Sequence, residues 1–237
     1  YMLLPDGVWH QITRFSDHTS EAAFGANGTL YLLSRKDAPM GKVLALAPPS
    51  FSVAQAKTLL TATRSSIDDF VAAGPHLYVN YMSGGPSKLF DIAAGKPDKA
   101  IEIPPVSSVG QLVAAGDQLL FENQSFVEPA AWFRYDPATS QVKKTGLFQT
   151  APVDFKDVEV IRQTAISKDG AHVPMTILRR RGTKLDGKNP TLLYAYGGYG
   201  ISQTPSFSVR RRLWLERGGV WVVANIRGGA ELGESWH

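Results

Sequence analysis

Gly25-Ala26-Asn27-Gly28-Thr29-Leu30-Tyr31-Leu32 has two counterparts further along the chain, Ala72-Ala73-Gly74-Pro75-His76-Leu77-Tyr78-Val79 and Ala114-Ala115-Gly116-Asp117-Gln118-Leu119-Leu120-Phe121. In each, a turn of small residues feeds an apolar or alternating strand, and the matching leucines 30, 77 and 119 stand 47 and 42 residues apart. A second strand follows at a similar offset: Val43-Leu44-Ala45-Leu46, Leu89-Phe90-Asp91-Ile92 and Trp132-Phe133-Arg134-Tyr135. Turns rich in Pro, Gly, Ser or Thr close these strands, at Pro48-Pro49-Ser50, Gly95-Lys96-Pro97 and Asp136-Pro137-Ala138-Thr139. Short strands with turn signals about every 8–12 residues predict an all-β array. A period of roughly 40–50 residues is the length of one four-stranded propeller blade. Residues 1–150 are therefore expected to form β-propeller blades, the alternative being an irregular β-sandwich whose hairpins look alike by chance.

Beyond residue 150 the texture changes. Glu159 to Ile166 and Val173 to Leu178 flank Ser167-Lys168-Asp169-Gly170, whose Asp-Gly is a strong hairpin signal. Thr191-Leu192-Leu193-Tyr194-Ala195-Tyr196 reads as a buried strand ending at Gly197-Gly198. A helix is predicted from about Ser206 or Ser208 to Gly218-Gly219, with Val209, Leu213 and Trp214 on its apolar side. Val220 to Ile226 reads as a second buried strand, apolar nearly throughout as central parallel strands are. Hairpin, strand, glycine loop, helix and strand in that order open a mixed α/β sheet. Residues 1–150 and 151–237 are accordingly assigned to different domains.

Composition narrows the function classes. The chain has 237 residues, 43% of them hydrophobic and 19% charged, which is ordinary for a globular protein and argues against disorder. It has no cysteine, so disulfides, a thiolate metal site and a cysteine nucleophile are excluded. The longest apolar run, near Val220 to Ala224, is far short of the ~20 residues of a membrane span. Residues 1–150 hold twelve Lys and Arg against thirteen Asp and Glu, and residues 151–237 hold thirteen against eight. Much of the second-half excess lies in Arg179-Arg180-Arg181 and Arg210-Arg211-Arg212. These runs read as a solvated hairpin end and a helix start, and no aromatic-rich RNA motif or zinc finger accompanies them, so no nucleic-acid partner is expected. The opening Tyr1-Met2-Leu3-Leu4-Pro5 lacks the basic flank of a signal peptide, and the chain reads as an internal piece of a longer one.

Two glycine-rich loops could carry chemistry. Tyr194-Ala195-Tyr196-Gly197-Gly198-Tyr199-Gly200 follows a strand and precedes a helix. In α/β-hydrolases the loop after the third strand supplies part of the oxyanion hole, and a Tyr hydroxyl there can stabilise a tetrahedral intermediate. Equally, the glycines could shape a turn while the tyrosines pack. Ala224-Asn225-Ile226-Arg227-Gly228-Gly229-Ala230-Glu231-Leu232-Gly233 matches neither the dinucleotide fingerprint nor the P-loop spacing, and is not read as a phosphate cradle.

Together these loops resemble the prolyl oligopeptidase family of serine peptidases. The resemblance is carried by Leu193 to Tyr199, by Thr204-Pro205-Ser206-Phe207-Ser208 and by Ala224 to His237, with the hairpin at Ser167-Lys168-Asp169-Gly170 and the turn Gly182 to Gly187 in support. It is clear over about 156–237 and consistent over 1–150. Ala230, where relatives usually carry a third glycine, and Tyr199, often Phe, depart from the pattern. The resemblance implies later blades of a seven-bladed β-propeller (1–150), then the N-terminal part of an α/β-hydrolase peptidase domain (151–237).

The implied activity is hydrolysis of short peptides after proline through a serine ester. Tyr196 matches the tyrosine that helps stabilise the oxyanion, and Tyr199 the aromatic that lines the proline pocket. Arg35 aligns more loosely with a propeller arginine facing the active-site cavity, a solvated arginine at a strand end being its alternative. Family members use Ser, Asp and His in that order, with the Ser in Gly-x-Ser-x-Gly. No such elbow occurs here, so the triad would lie after His237 and this stretch alone lacks it. No cofactor or metal is implied. The implied partners are short proline-containing peptides, with no nucleic acid and no membrane, and the full-length enzyme would be a cytoplasmic monomer, the periplasm being the alternative compartment. Rival readings are an oligopeptidase B-like enzyme cutting after basic residues and a non-catalytic propeller scaffold.

Overall fold

A computed structural model describes residues 1–237. A small antiparallel pair, β1 (Met2–Leu3) and β2 (Trp9–His10), precedes three four-stranded antiparallel meanders. The first comprises β3 (Thr19–Phe24), β4 (Leu30–Ser34), β5 (Lys42–Leu46) and β6 (Lys57–Thr61). The second comprises β7 (Ser66–Ala73), β8 (His76–Met82), β9 (Ser87–Ala93) and β10 (Lys99–Ile101). The third comprises β11 (Ser107–Ala115), β12 (Gln118–Ser125), β13 (Ala131–Asp136) and β14 (Gln141–Phe148). Each repeat of the sequence thus closes as its own sheet, and the repeated strands are the second and third of each. Leu30, Leu77 and Leu119 are all buried on β4, β8 and β12.

The meanders pack face against face. Leu33, Val43, Ile67, Phe70 and Val79 fill the space between the first and second. Tyr78, Leu89, Leu119, Phe121 and Tyr135 do the same between the second and third. Burial of each such side chain contributes about 1.5–3 kcal/mol. Polar groups cross the second seam as well, where the Tyr135 hydroxyl donates to Asp91 Oδ2 at 3.2 Å and the Tyr78 hydroxyl to the Asp117 carbonyl at 2.5 Å.

A fourth sheet follows, made of β15 (Val158–Ile166), β16 (His172–Arg180), β17 (Thr191–Tyr194) and β18 (Val220–Ala224) in the order β15-β16-β18-β17. β15 and β16 form the expected hairpin around Asp169-Gly170, and β17 runs parallel to β18. The crossover between them carries the one α-helix, α1 (Arg210–Glu216). Phe126 of the third meander joins Phe155, Val158, Leu178, Leu215 and Val223 in a shared core, which seats this sheet on the meanders.

Three expectations need correction. The helix starts later than Ser206 or Ser208, and its buried residue is Leu215, whereas Leu213 is 58% exposed. The seven-residue helix turns on Arg211 and Leu215, one turn apart, because the Arg211 guanidinium lies 5.2 Å from the Phe126 ring centre and 5.4 Å from that of Trp221. The arginine run at its start is therefore not simply solvated, since Arg212 pairs with Asp157 and, at 2.8 Å, with Glu216. Finally, among residues 1–237 β17 pairs on one side only, with β18, so Leu193 and Tyr194 are exposed rather than buried. No helix is long and apolar enough to cross a membrane.

Candidate functional site

The loop leaving β17 is held by close backbone approach to the loop leaving β18. Gly197 has a left-handed backbone (φ +61°), and a Cβ there would lie 2.5 Å from the Arg227 carbonyl oxygen. Across from it, a Cβ on Gly228 would fall 2.1 Å from the Gly197 carbonyl oxygen. Only glycine fits two backbones this close. Gly200 N donates to Gly228 O at 2.9 Å, and Gly228 N donates to Trp236 O at 2.8 Å. Arg227 reaches from the second loop to Asp169 in the hairpin turn. That guanidinium, helped by the Ala171 amide, holds the Asp169 carboxyl down to about 2. Asp169 therefore joins the hairpin turn to the second glycine loop as well as accepting from the Ala171 amide of its own turn.

On this scaffold Tyr196 and Tyr199 come out on the same short loop. Tyr196 is half exposed, with its ring against Gly198, where a Cβ would meet ring carbon Cε1 at 3.3 Å. Tyr199 is 88% exposed and carries φ +54°, a conformation that costs a non-glycine residue on the order of 1 kcal/mol. An exposed aromatic held in strained backbone is a feature found at ligand sites.

Arg35 stands elsewhere. Its guanidinium donates to Ser66 Oγ at 3.1 Å, to Ile67 O at 3.0 Å and to Pro39 O at 3.4 Å, so it ties the first meander to the second. It borders a cavity of about 900 Å³ together with Arg14, His18 and Glu234, and neither tyrosine is on that wall. Arg35 is thus committed to three acceptors, unlike a solvated strand-end arginine.

Close to Arg35 lie three carboxyl groups that motif reading did not single out. Burial, and then Asp69, push the Glu21 carboxyl well above the ordinary carboxylate range. Burial and Asp69 also raise Asp68, while Arg35 opposes the rise. Asn80 donates to Asp68 Oδ2 at 3.1 Å. A carboxyl raised in the fold stabilises it at low pH, and that contribution is lost as pH climbs from the ordinary carboxylate range through the folded value. Glu21→Gln is accordingly expected to raise the melting temperature more at about pH 8 than at about pH 5, checked by paired thermal melts. No group of three or more His, Cys, Asp or Glu side chains is placed to hold a metal ion.

The meanders also meet the segment beyond residue 150 through five hydrogen bonds, one of them from Arg162 Nη2 to Gly84 O at 2.7 Å. Glu234 N donates to Pro39 O at 2.9 Å, Gly84 N to Glu231 O at 3.0 Å, Ser108 Oγ to Pro205 O at 2.6 Å, and Phe207 N to Gln124 Oε1 at 3.0 Å. Every meander therefore contributes at least one bond to the segment bearing the two glycine loops. Consecutive four-stranded meanders packed face to face, with a second sheet bonded across one end, define a β-propeller protein with an adjoining sheet.

A family model described as prolyl oligopeptidase, N-terminal beta-propeller domain, matches residues 6–146. The chain belongs to the prolyl oligopeptidase family. It is 32% identical over 233 residues to a prolyl endopeptidase of Elizabethkingia meningoseptica, covering 95% of this chain and 32% of the relative. A solved prolyl endopeptidase structure superposes with a TM-score of 0.82 at 28% identity, over 92% of this chain and 32% of that one. Oligopeptidase B from Leishmania major shares the fold with a TM-score of 0.78 at 21% identity, over 91% of this chain and 32% of that one. The chain thus spans about a third of the length of the relatives it matches.

Proposed function

We propose that this chain is part of a serine peptidase that hydrolyses short peptides on the carboxyl side of proline through an acyl-enzyme. In this reading residues 1–150 are later blades of a seven-bladed propeller, and residues 151–237 are the N-terminal part of an α/β-hydrolase domain. The observation that carries it is the pinned Tyr196–Gly200 loop, which leaves a strand that pairs in parallel and presents two tyrosines on a rigid backbone. Tyr196 supplies a hydroxyl to the oxyanion, and Tyr199 offers a flat apolar face to a proline ring. In this reading Arg35, fixed by Ser66 and Ile67 on a wall that neither tyrosine shares, would meet substrate only from the propeller side. The name of the relative from Elizabethkingia meningoseptica supports the proline preference.

The test is hydrolysis by the full-length protein of matched peptides with Pro, Ala or Arg before the cut bond. Preference for Pro supports the reading. Preference for Arg would replace it with an oligopeptidase B-like activity, and no hydrolysis of any of them would favour a binding scaffold. Residues 1–237 alone hold no Gly-x-Ser-x-Gly and should cleave none. Tyr199→Ala should lower the Pro-to-Ala ratio of kcat/KM by about tenfold. It should leave the melting temperature nearly unchanged, because the side chain is almost fully exposed. An unchanged ratio would remove Tyr199 from the pocket.

A further inference from the structure

The backbone that follows the tyrosine loop ends on a buried carboxylate. Glu231 is 1% exposed, and its Oε1 accepts from Gln203 N at 2.8 Å and from Asn225 Nδ2 at 3.2 Å. The same Asn225 amide nitrogen donates to Gln203 O at 2.7 Å. Both backbone polar groups of Gln203 are thus taken by side chains that are themselves buried, Asn225 being 2% exposed. Glu231 Oε2 has no partner. On the far side, the Glu231 carbonyl accepts from Gly84, in the turn between β8 and β9, and Gly84 O accepts from Arg162 at 2.7 Å. Arg162 also donates to Thr176 Oγ1 at 2.8 Å and reaches Asn225 Oδ1 at 3.5 Å. Gly85 closes the contact, since a Cβ there would lie 3.0 Å from Asn225 Oδ1 and 3.2 Å from Gln203 O.

A carboxyl group in such a place is costly, because a buried polar group with an unsatisfied oxygen forfeits solvation that two hydrogen bonds only partly return. Its advantage over an apolar residue is one oxygen that accepts from both Gln203 N and Asn225 Nδ2, at the end of the loop that must not move. Gly197 and Gly200 anchor the start and middle of the loop against Arg227 and Gly228, and Glu231 with Asn225 anchors its end at Gln203.

We propose that Glu231 is a positioning residue for Tyr196 and Tyr199. Through Gln203 and Asn225 it fixes the loop that carries them, and through Gly84 it makes that placement depend on the second propeller blade. The inference rests on the reading of that loop given above. Glu231 touches no substrate in this assignment; it acts through the backbone.

The experiment is a double-mutant cycle in the full-length protein with a proline peptide. Glu231→Ala should lower kcat by about tenfold or more, since misplacing a reacting group by an ångström costs about a hundredfold. KM should stay within about threefold, and Glu231→Gln, whose amide oxygen can accept both hydrogen bonds, should restore most of the loss. The decisive number is the cost of Tyr196→Phe, which should shrink at least about fivefold in the Glu231→Ala background, because a displaced hydroxyl has little left to lose. Equal costs in the two backgrounds would overturn the proposal.

Should Glu231→Ala fail to fold, Gly84→Ala enters the same cycle from the propeller side, where its Cβ would press to 3.0 Å on Pro174. Amide exchange over 197–203 without peptide separates this proposal from the peptidase reading. Exchange at least about tenfold faster in either variant, with β8 and β12 unchanged, supports positioning even if no peptide is cleaved. Unchanged exchange over 197–203 would overturn it even in an active peptidase.

Discussion

Tyr196→Phe in the full-length protein is expected to lower kcat on a proline peptide by about 10²–10³, or roughly 2.7–4 kcal/mol of transition-state stabilisation. KM should scarcely change, because the hydroxyl is called on only when the carbonyl oxygen gains charge. Phenylalanine keeps the ring that lies against Gly198 and leaves the Gly197–Gly228 contact untouched, so the loop should keep its place. A tyrosine that merely packs would be replaced by Phe at almost no cost. A peptide with a poor leaving group, which makes acylation rate-limiting, gives the cleanest reading. A kcat within about twofold of the parent would return Tyr196 to a packing role.

Leu215→Ala is expected to destabilise the fold by about 2–5 kcal/mol, whereas Leu213→Ala, two positions earlier, should change stability by no more than about 0.5 kcal/mol. Leu215 is fully buried in the core that contains Phe126, Phe155 and Leu178, and Leu213 points out of it. Chemical denaturation of the two variants side by side checks this directly. Similar losses at both positions would mean that the helix is rotated from the orientation described.

That pair also marks where sequence reasoning stops. The inner strands of the repeat were legible because small-residue turns flank runs such as Leu30-Tyr31-Leu32 and Leu119-Leu120-Phe121, and burial on both faces selects such runs. The outer strands were not. β6 and β14 are mostly exposed and carry Lys57, Thr58, Lys143 and Lys144 without a clean alternation, and β10 is only three residues long. In α1 the run Arg210 to Glu216 is too short for its period to name a face, which Phe126 and Trp221 decide through Arg211. β17 is as apolar as a central strand, and within residues 1–237 it pairs with β18 alone.

At the site, the aromatic–glycine loop was legible because its residue types are unusual together. Glu231 sits within a glycine-rich loop, and nothing local in the sequence announces its burial. A lone carboxylate among Gly228, Gly229, Ala230 and Leu232 was the available signal. Its partners, Gln203 and Gly84, come from distant parts of the chain, and only folding brings them together.

The strand order sets a sequence of events for a chain leaving the ribosome. Each propeller blade pairs every strand with the next in line, so a blade can close as soon as its fourth strand emerges, and loop-closure entropy stays small. The last sheet cannot do this. β16 finds its second neighbour only in β18, with Met175 opposite Ala224, and β17 must wait for that same strand to pair at all. Until then β16 has one unpaired edge and β17 two, and unpaired edges are where a growing chain is most open to mispairing. The tyrosine loop, hung between β17 and β18, takes shape only once that pairing is made, after the three meanders that precede it can already have closed.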